Sequence, residues 1–217
     1  MSFHVLTVCT GNICRSPAAE FLLREALGPT VTVTSAGTGA VVDHGVEEQM
    51  AKLLPMDTSS FRARNLTVQM VRDADLILGM TRFHRAAAVE LHPASVRRAF
   101  TLREFARIVS VIDDVEGGSP ATTLAALTRR APELRVTTRA EDPLDDDIAD
   151  PFQLEDAVFE ACHIEIGQAV AAIAQAVARA TNPEAATPTE AANATEADNT
   201  EQPTKPGKYD WWTKEVR

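Results

Sequence analysis

Cysteine is scarce in this chain, and the few cysteines do not form a disulfide framework. The 217 residues include three cysteines, Cys9, Cys14 and Cys162. An odd number of thiols directs attention to the reactivity of single cysteines rather than to cross-linking. A zinc site would need two more Cys or His ligands at suitable spacing, and these are missing. A redox pair normally has the spacing C-x-x-C, whereas four residues separate Cys9 from Cys14.

Positive charge and long apolar runs are also scarce. The chain carries 21 Lys and Arg against 31 Asp and Glu, a formal net charge of −10. This charge argues against a general affinity for nucleic acid or for an anionic membrane. The start, MSFHVLTVC, lacks the basic and long apolar regions of a signal peptide. No apolar run approaches the roughly 18 residues of a membrane span. We therefore expect a cytoplasmic protein with neither a nucleic-acid partner nor membrane insertion.

The C-terminal part of the chain lacks the residues that build a core. From residue 181 to residue 208 there is no Val, Ile, Leu, Met or Phe. Such a segment buries too little apolar surface to offset the entropy of ordering it. We expect a domain at 1–180 and a disordered tail at 181–217. The tail ends in KYDWWTKEVR, which is interpreted either as a loosely docked end or as an aromatic motif that binds a protein partner.

Strand-like and helix-like patterns alternate through the rest of the chain. Apolar and β-branched runs predict strands, and apolar residues at spacings of three and four predict helices. This alternation indicates an α/β fold with a parallel sheet covered by helices on both faces. The predicted strands are 3–9, 31–37, 74–80 and 96–102, and the predicted helices are 17–27, 46–54, 67–72, 81–92, 102–110 and about 153–180.

The stretch VCTGNICRSPAAE, residues 8–20, connects the first predicted strand to the first predicted helix. Gly11 and Asn12 tolerate the backbone angles of a tight loop. Ser16 and Pro17 fit the N-cap and first position of the helix. A strand, a short loop and a helix N-terminus form an anion cradle, because backbone N–H groups and the positive end of the helix dipole point inward.

Two side chains give this cradle its chemistry. The planar guanidinium of Arg15 can bind two phosphate oxygens at once. The positive field of the loop also stabilises the thiolate of Cys9 over its thiol and so makes Cys9 a good nucleophile. The sequence therefore predicts a loop that binds a phosphoryl group and attacks it.

The full run CTGNICRSP resembles the signature C-x-G-N-x-C-R-S-P of the low-molecular-weight protein-tyrosine phosphatases, and the bacterial type in particular. The resemblance covers most of residues 3–180. It implies a four-stranded parallel sheet with helices on both sides. It also implies hydrolysis of phosphotyrosine in proteins, and of small aryl phosphates, without metal or cofactor. The other segments that carry it are TSAGT (34–38), DTSSFRARNLT (57–67), ADLILGM (74–80), HRA (84–86) and the pair at 150–151.

The resemblance also implies roles for individual residues. Cys9 would be the nucleophile and Arg15 the phosphate clamp. Ser16 would hydrogen-bond the cysteine sulfur, and Asn12, supported by Ser35, would hold the loop in shape. The remaining residues of the phosphate-binding loop are Thr10, Gly11, Ile13 and Cys14.

A general acid must come from elsewhere, because the departing alkoxide or phenoxide leaves slowly unless it is protonated. The segment EDPLDDDIADPFQ, residues 141–153, offers five aspartates. Proline follows only Asp142 and Asp150 and fixes the loop there. In the family the acid precedes a proline and an aromatic residue just before the last helix. Asp150, which precedes Pro151 and Phe152, fits that pattern and is predicted to be the acid.

The chain departs from the family in several places, and two of them concern the pocket and the length of the chain. Val41 and Val42 stand in the loop after SAGT, where many relatives have an aromatic residue. Together with Phe152 they are expected to line the substrate pocket. Residues 113–149 are longer than the corresponding part of compact relatives and are interpreted as a surface insertion, with a mobile flap over the site as the alternative.

Three other functions are alternatives to phosphotyrosine hydrolysis. Phosphoarginine phosphatases carry threonine where this chain has Ile13, whose bulk favours a flat aryl ring. Arsenate reduction passes electrons through further cysteines, and none lies between Cys14 and Cys162. A non-enzymatic anion-binding regulator would need neither a thiolate nor an acid. A disulfide between Cys9 and Cys14 stays possible as a side reaction of oxidation.

Overall fold

The protein is described here from a computed structural model over residues 2–115 and 117–181. Its sheet has four parallel strands in the order β2-β1-β3-β4. The predicted four-stranded parallel sheet is therefore confirmed. The tail beyond residue 181, with its aromatic segment, lies outside the described residues. The strands are β1 (Phe3–Cys9), β2 (Val31–Gly37), β3 (Leu76–Gly79) and β4 (Ala99–Thr101).

Seven α-helices and two short 3₁₀ helices lie among the described residues, and they cover both faces of the sheet. The 3₁₀ helices are Pro93–Arg98 and Pro143–Asp146. The α-helices are α1 (Arg15–Leu27), α2 (Glu48–Leu53), α3 (Val68–Asp73), α4 (Arg82–Leu91), α5 (Leu102–Ser110), α6 (Pro120–Leu134) and α7 (Asp156–Thr181).

The alternation of side chains along β1 produces two cores. Val5 points into the larger core, which includes side chains of α1, α5, α6 and α7. Leu6 and Val8 point into a smaller core on the other face, which includes side chains of α3 and α4. Because successive residues of a strand face opposite sides of the sheet, both faces of the central strand are buried. The predicted three-layer arrangement is confirmed.

The last strand is shorter than predicted. The predicted strand 96–102 begins instead as the 3₁₀ helix Pro93–Arg98, and only Ala99–Thr101 pairs with β3. Pro93 favours the helical turn, because its fixed φ suits the first position of a helix. Thr101 then ends the strand and caps α5, with its hydroxyl accepting from the backbone N–H of Glu104 at 3.0 Å.

The interpretation of residues 113–149 as a surface insertion is wrong, because the segment adds helix α6 to the core. Ser119 caps this helix and Pro120 is its first residue, the usual start signal. Its apolar residues follow the spacing of three and four that buries one helix face. The buried ones are Ala121, Leu124, Leu127 and Ala131.

Helix α7 closes the larger core on the side of α1 and α5. By length and composition alone it is apolar enough to cross a membrane. Its buried residues recur every three or four positions, the pattern of a helix packed against a core. Cys162 belongs to this stripe and is buried, as predicted for a small apolar side chain. The other buried residues of the stripe are Phe159, Ile166, Ala169, Val170, Ile173, Ala176 and Val177.

Candidate active site

Cys9 is the last residue of β1, the strand that pairs with both β2 and β3. The chain leaves the sheet there, forms the loop at 10–14 and enters α1 at Arg15. In parallel α/β sheets, ligands bind outside the carboxyl ends of the strands. The sulfur therefore lies where an open sheet offers a site, at the floor of the loop predicted to bind phosphate.

Two groups of the loop are hydrogen-bonded to the sulfur of Cys9. The backbone N–H of Asn12 donates to Sγ at 3.2 Å, and the hydroxyl oxygen of Ser16 lies 2.9 Å from Sγ. All three residues are buried. Hydrogen bonds donated to a sulfur stabilise its anionic form, so this geometry suits a thiolate.

Ser16 is not the N-cap of α1, and that prediction is wrong. The helix begins at Arg15, and Cys14 occupies the cap position without a side-chain cap. The hydroxyl of Ser16 instead faces Cys9 and accepts from the side-chain amide of Asn12 at 3.0 Å. The hydroxyl of Ser16 therefore serves the sulfur of Cys9 and the amide of Asn12 instead of capping the helix.

Asn12 holds the loop to the rest of the domain. Its backbone lies in the left-handed region, with φ of 55°, which asparagine tolerates better than most residues. Its Nδ2 donates to the hydroxyls of Ser16 and Ser35, at 3.0 and 2.8 Å. Its Oδ1 accepts from the backbone N–H of Arg64 at 2.9 Å. One buried amide therefore connects the loop to β2 and to the segment 57–67.

Arg15 is buried, and its guanidinium is only partly paired. Nη1 donates to the carbonyl oxygen of Ile148 at 3.1 Å, and Nη2 donates to the carboxylate of Asp150. Nε has no hydrogen-bond partner among the described residues. A buried N–H without an acceptor is costly, and an oxyanion in the cradle would satisfy it.

The acid loop, residues 141–153, is held to helices α4 and α5 by aspartates other than Asp150. Asp147 accepts from the backbone N–H and the guanidinium of Arg82, at 2.7 and 3.0 Å. Asp146 accepts from Arg107 at 2.7 Å. Asp142 accepts from a backbone N–H of its own turn at 2.9 Å. Three of the five aspartates are therefore structural in this loop.

Asp150 is the aspartate of the loop that meets Arg15. Its side chain is half exposed, and its other carboxylate oxygen accepts from the backbone N–H of Phe152 at 3.3 Å. Ile148, two residues earlier, is fully buried, and its N–H donates to the carbonyl of Met80 at 2.9 Å. The loop backbone is therefore anchored where it places the carboxyl group of Asp150 beside the guanidinium of Arg15.

His84 was not expected at this site from the sequence, where it had no recognisable partner. In the structure it is buried, with Nε2 at 2.9 Å from the hydroxyl of Thr10 and Nδ1 at 2.8 Å from that of Thr81. Burial, and then the charge of Arg15, lower the pKa of His84 to about 4. A neutral imidazole therefore connects the exposed hydroxyl of Thr10 to the start of α4. Thr81, three residues before His84, was the signal in the sequence, because that spacing is typical of a helix cap.

Glu20 is a second residue that sequence reasoning missed. It lies on α1 one turn after Ser16 and is 5% exposed. Its Oε2 accepts from the hydroxyl of Ser35 at 2.6 Å, and its Oε1 pairs with Arg24. The spacing of four residues from Ser16 to Glu20 was visible, because residues four apart share a helix face.

The other two cysteines are less suited to nucleophilic attack. Burial, with the charge of Asp150 as the next cause, raises the pKa of the Cys14 thiol. Burial likewise raises the pKa of Cys162 to about 12. Both remain protonated at neutral pH. Within residues 2–115 and 117–181, no group of three or more His, Cys, Asp or Glu side chains is placed to hold a metal ion.

Apolar side chains surround the loop on its exposed side. Val41 and Val42 are about half exposed, and the N–H of Val41 donates to the carbonyl of Gly11 at 3.0 Å. Phe152, beside the candidate acid, is 42% exposed. Ile13 is 4% exposed, so it contributes mainly to the floor of this region rather than to its rim. Gly11 lies against the side chains of Ile13 and Val41.

Comparison with known proteins agrees with this geometry. Residues 4–134 match the family described as low molecular weight phosphotyrosine protein phosphatase. The probable low molecular weight protein-tyrosine-phosphatase EpsP of Ralstonia nicotianae is 41% identical over 103 residues, which is 46% of this chain and 70% of EpsP. A protein-arginine-phosphatase of Geobacillus stearothermophilus is 34% identical over 109 residues, 48% of this chain and 72% of the relative.

The solved structures show the same likeness. The crystal structure of the Erwinia amylovora tyrosine phosphatase AmsI superposes with a TM-score of 0.60 at 26% sequence identity. The superposition covers 82% of this chain and 95% of AmsI. The likeness in fold and the match to the sequence family therefore indicate the same kind of protein.

Proposed function

Because the chain belongs to the low molecular weight phosphotyrosine protein phosphatase family, we propose that it hydrolyses phosphotyrosine in proteins, and small aryl phosphates, through a phosphocysteine at Cys9. The observation that carries this proposal is the convergence of three groups at one strand end. The sulfur of Cys9 has hydrogen-bonding neighbours that suit a thiolate. The buried Nε–H of Arg15 has no acceptor among the described residues, and the carboxylate of Asp150 accepts from the same guanidinium.

In the first step the thiolate of Cys9 attacks phosphorus. The S–P bond forms as the bond from phosphorus to the aryl oxygen breaks, and Asp150 gives its proton to that oxygen. Arg15 and the N–H groups of the loop stabilise the charge on the three remaining phosphoryl oxygens. The products are a neutral phenol and a phosphocysteine.

In the second step water attacks the phosphocysteine. Asp150, now a carboxylate, takes a proton from the water as its oxygen bonds to phosphorus and the S–P bond breaks. The electrons of that bond return to the sulfur of Cys9, where Ser16 and the N–H of Asn12 stabilise the thiolate. Inorganic phosphate leaves and Asp150 is protonated again. The two steps use only protein groups and water.

The contact between Arg15 and Asp150 relates substrate binding to catalysis. Nη1 of Arg15 is held by the carbonyl of Ile148, so the guanidinium keeps its orientation. A phosphoryl group that enters the cradle can accept hydrogen bonds from Nε and Nη2 of Arg15. Nε has no acceptor among the described residues, and Nη2 donates to Asp150. Binding of the substrate would therefore release the carboxyl group of Asp150 to face the leaving oxygen.

The apolar rim supports an aryl ester as substrate. Val41, Val42 and Phe152 offer exposed apolar surface beside the loop, and a flat ring can pack against such surface. Phosphoarginine is the second candidate substrate, because a relative 34% identical over 109 residues is a protein-arginine-phosphatase. Turnover of phosphotyrosine and phosphoarginine peptides, by wild type and by Ile13→Thr, tests the choice. Efficient phosphoarginine turnover by wild type would favour the second candidate.

The mechanism is tested by turnover of an aryl phosphate by wild type and Cys9→Ser. We expect no measurable turnover by Cys9→Ser, and a phosphorylated Cys9 peptide when wild type is quenched by acid. Full activity of Cys9→Ser, or strict dependence of wild type on a divalent metal, would overturn it.

We further propose that the phosphatase domain is residues 1–180 and that it works in the cytoplasm on phosphotyrosine-containing proteins. A chain ending at residue 181 should then turn over aryl phosphate at the full rate. If the aromatic segment at the end of the tail binds a protein partner, that partner should be lost from a pull-down with the shortened chain.

A further inference from the structure

Glu20 is a buried carboxylate that the two catalytic steps do not use. It is 5% exposed and lies on α1, facing Ser35 of β2. A buried carboxylate is costly unless it is hydrogen-bonded or paired. Glu20 has both, from the hydroxyl of Ser35 and from the guanidinium of Arg24. Its position next to the residues that hold the phosphate-binding loop suggests a role beyond packing.

The carboxylate decides the direction of the hydrogen bond from Ser35. An ionised carboxylate can only accept, so the single hydroxyl proton of Ser35 goes to Glu20, at an oxygen–oxygen distance of 2.6 Å. The oxygen of Ser35 is then an acceptor for its other neighbour. That neighbour is Nδ2 of Asn12, at 2.8 Å.

The direction of hydrogen bonding is also fixed at Asn12, on the other side of Ser35. The backbone N–H of Arg64 can only donate, and it donates to Oδ1 of Asn12 at 2.9 Å. With Oδ1 and Nδ2 both assigned, the amide has one orientation. Its second N–H then donates to the oxygen of Ser16 at 3.0 Å. The proton of Ser16 is therefore free for the sulfur of Cys9, 2.9 Å away.

We propose that Glu20 is a positioning residue of the phosphatase reaction: through Ser35 and Asn12, and together with the backbone N–H of Arg64, it sets the direction of hydrogen bonding, so that Ser16 donates its proton to the sulfur of Cys9. The inference rests on the proposed function of Cys9 as nucleophile. Glu20 itself touches neither the sulfur nor the loop backbone in the hydrogen bonds of the site. Its effect on the thiolate is transmitted by three intervening side chains.

Removing Glu20 should change the ionisation of Cys9 in opposite directions, depending on whether Glu20 acts through its charge or through the chain of hydrogen bonds. The negative charge of Glu20 alone would disfavour a second anion, so removing it would make Cys9 easier to ionise. The guanidinium of Arg24 pairs with Glu20, and Arg64 donates to the backbone of Ser35, which both offset that charge. Loss of the directed chain would instead make Cys9 harder to ionise. The sign of the change therefore separates the two.

The test is the pH dependence of Cys9 alkylation by iodoacetamide, followed by mass spectrometry of the Cys9 peptide, in wild type and Glu20→Gln. In Glu20→Gln the side-chain amide can donate to Ser35 as well as accept. We expect the midpoint of alkylation to rise by about one pH unit, and the alkylation rate below the midpoint to fall about tenfold. The matched control is Glu25→Gln, the same change at an exposed position of α1, which should stay within about twofold of wild type.

A second pair of variants shows whether the effect passes through Ser35. Ser35→Ala interrupts the chain at its next member and should raise the midpoint by a similar amount. Adding Glu20→Gln to Ser35→Ala should then change nothing further, because interacting sites are not additive. An unchanged or lowered midpoint in Glu20→Gln overturns the proposal, and so does full additivity in the double variant. If Glu20→Gln does not fold, an unchanged midpoint in Ser35→Ala overturns it.

Alkylation does not require turnover, so this proposal and the proposed function can fail separately. A raised midpoint in Glu20→Gln without aryl-phosphate turnover in wild type would reject the phosphatase activity and keep the role of Glu20. Normal turnover in wild type with identical midpoints would do the reverse.

Discussion

Arg15 donates a hydrogen bond to the carboxylate of Asp150, a residue 135 positions later in the chain. The guanidinium proposed to bind phosphate and the candidate acid are thus hydrogen-bonded to each other. In the proposed mechanism, the carbonyl of Ile148 keeps the guanidinium of Arg15 oriented when the bond to Asp150 is exchanged for one to phosphate. The proposal thus gives Arg15 two tasks, which are to bind phosphate and to hold the acid nearby.

Asp150→Asn should lower kcat for phenyl phosphate about a hundredfold or more, because a positioned general acid contributes roughly 10²–10⁴ to rate. The loss should be smaller for p-nitrophenyl phosphate, whose leaving group needs less protonation. The control is Asp145→Asn, an exposed position of the same loop. An equal loss with both leaving groups would show that Asp150 does not act as the acid.

Arg15→Lys should lower kcat/KM for aryl phosphates by about 10²-fold, the typical cost of removing one preorganised donor to a developing oxyanion. Lysine keeps the charge but cannot present two parallel N–H groups. Inorganic phosphate should also inhibit the variant more weakly. The control is Arg72→Lys, which is exposed on α3. If phosphate inhibition were unchanged in Arg15→Lys, the clamp would lie elsewhere.

The lowered pKa of His84 should make the free energy of unfolding depend on pH. Its pKa is about 4 in the folded protein and near 6.5 when unfolded, so the unfolded chain binds more protons between these values. The stabilisation is fully present above pH 6.5 and is lost as the pH falls toward 4, by up to about 3 kcal/mol. Urea unfolding at pH 7 and pH 4.5 should show a smaller loss for His84→Gln than for wild type. Equal losses would contradict the buried neutral imidazole.

Asp147→Asn should loosen the acid loop, because its carboxylate binds both the backbone N–H and the guanidinium of Arg82. We expect kcat to fall about tenfold, an order-of-magnitude figure for an acid that is less well positioned. The free energy of unfolding should fall by about 1 kcal/mol, as for a lost helix cap. Cleavage of residues 141–153 by limited proteolysis should become faster. Wild-type cleavage rates in the variant would mean that other contacts hold the loop.

Leu124→Ala should destabilise the domain by about 2–5 kcal/mol, the usual cost of a cavity at a fully buried leucine. The measurement is chemical denaturation, with Val111→Ala as the control at a position that is 55% exposed. Turnover of the folded fraction should be unchanged, because α6 supplies no residue of the candidate site. A loss below about 0.5 kcal/mol would return α6 to the status of a surface insertion.

The sequence predicted those parts of the fold and site that depend on local chain geometry. The loop from Cys9 to Ser16 is contiguous, and its glycine, asparagine and proline restrict the backbone directly. Asp150 could be singled out because a proline and an aromatic residue follow it. The sheet could be predicted because β1, β3 and β4 are almost wholly buried and read as mainly apolar runs, whereas β2 alternates valine with threonine at its start.

The residues that were missed have partners far away in the chain. His84 binds Thr10, 74 positions earlier, and Glu20 binds Ser35 across the turn from α1 to β2. The sequence around a histidine or a glutamate on a helix does not reveal which distant residue it contacts. The helix α6 was missed for another reason, because Thr, Arg and Pro132 interrupt its apolar residues and weaken the helical pattern.

The long separation between Ile148 and Arg15 has a consequence for the order in which this protein matures. The cradle around Cys9, with its contact between Thr10 and His84, draws on residues within the first 84 positions, whereas the carbonyl that orients Arg15 arrives 133 positions after it. Contacts between distant residues form late, because a long loop must close first. A chain emerging from the ribosome can therefore shape its nucleophile well before it has an acid to complete the reaction.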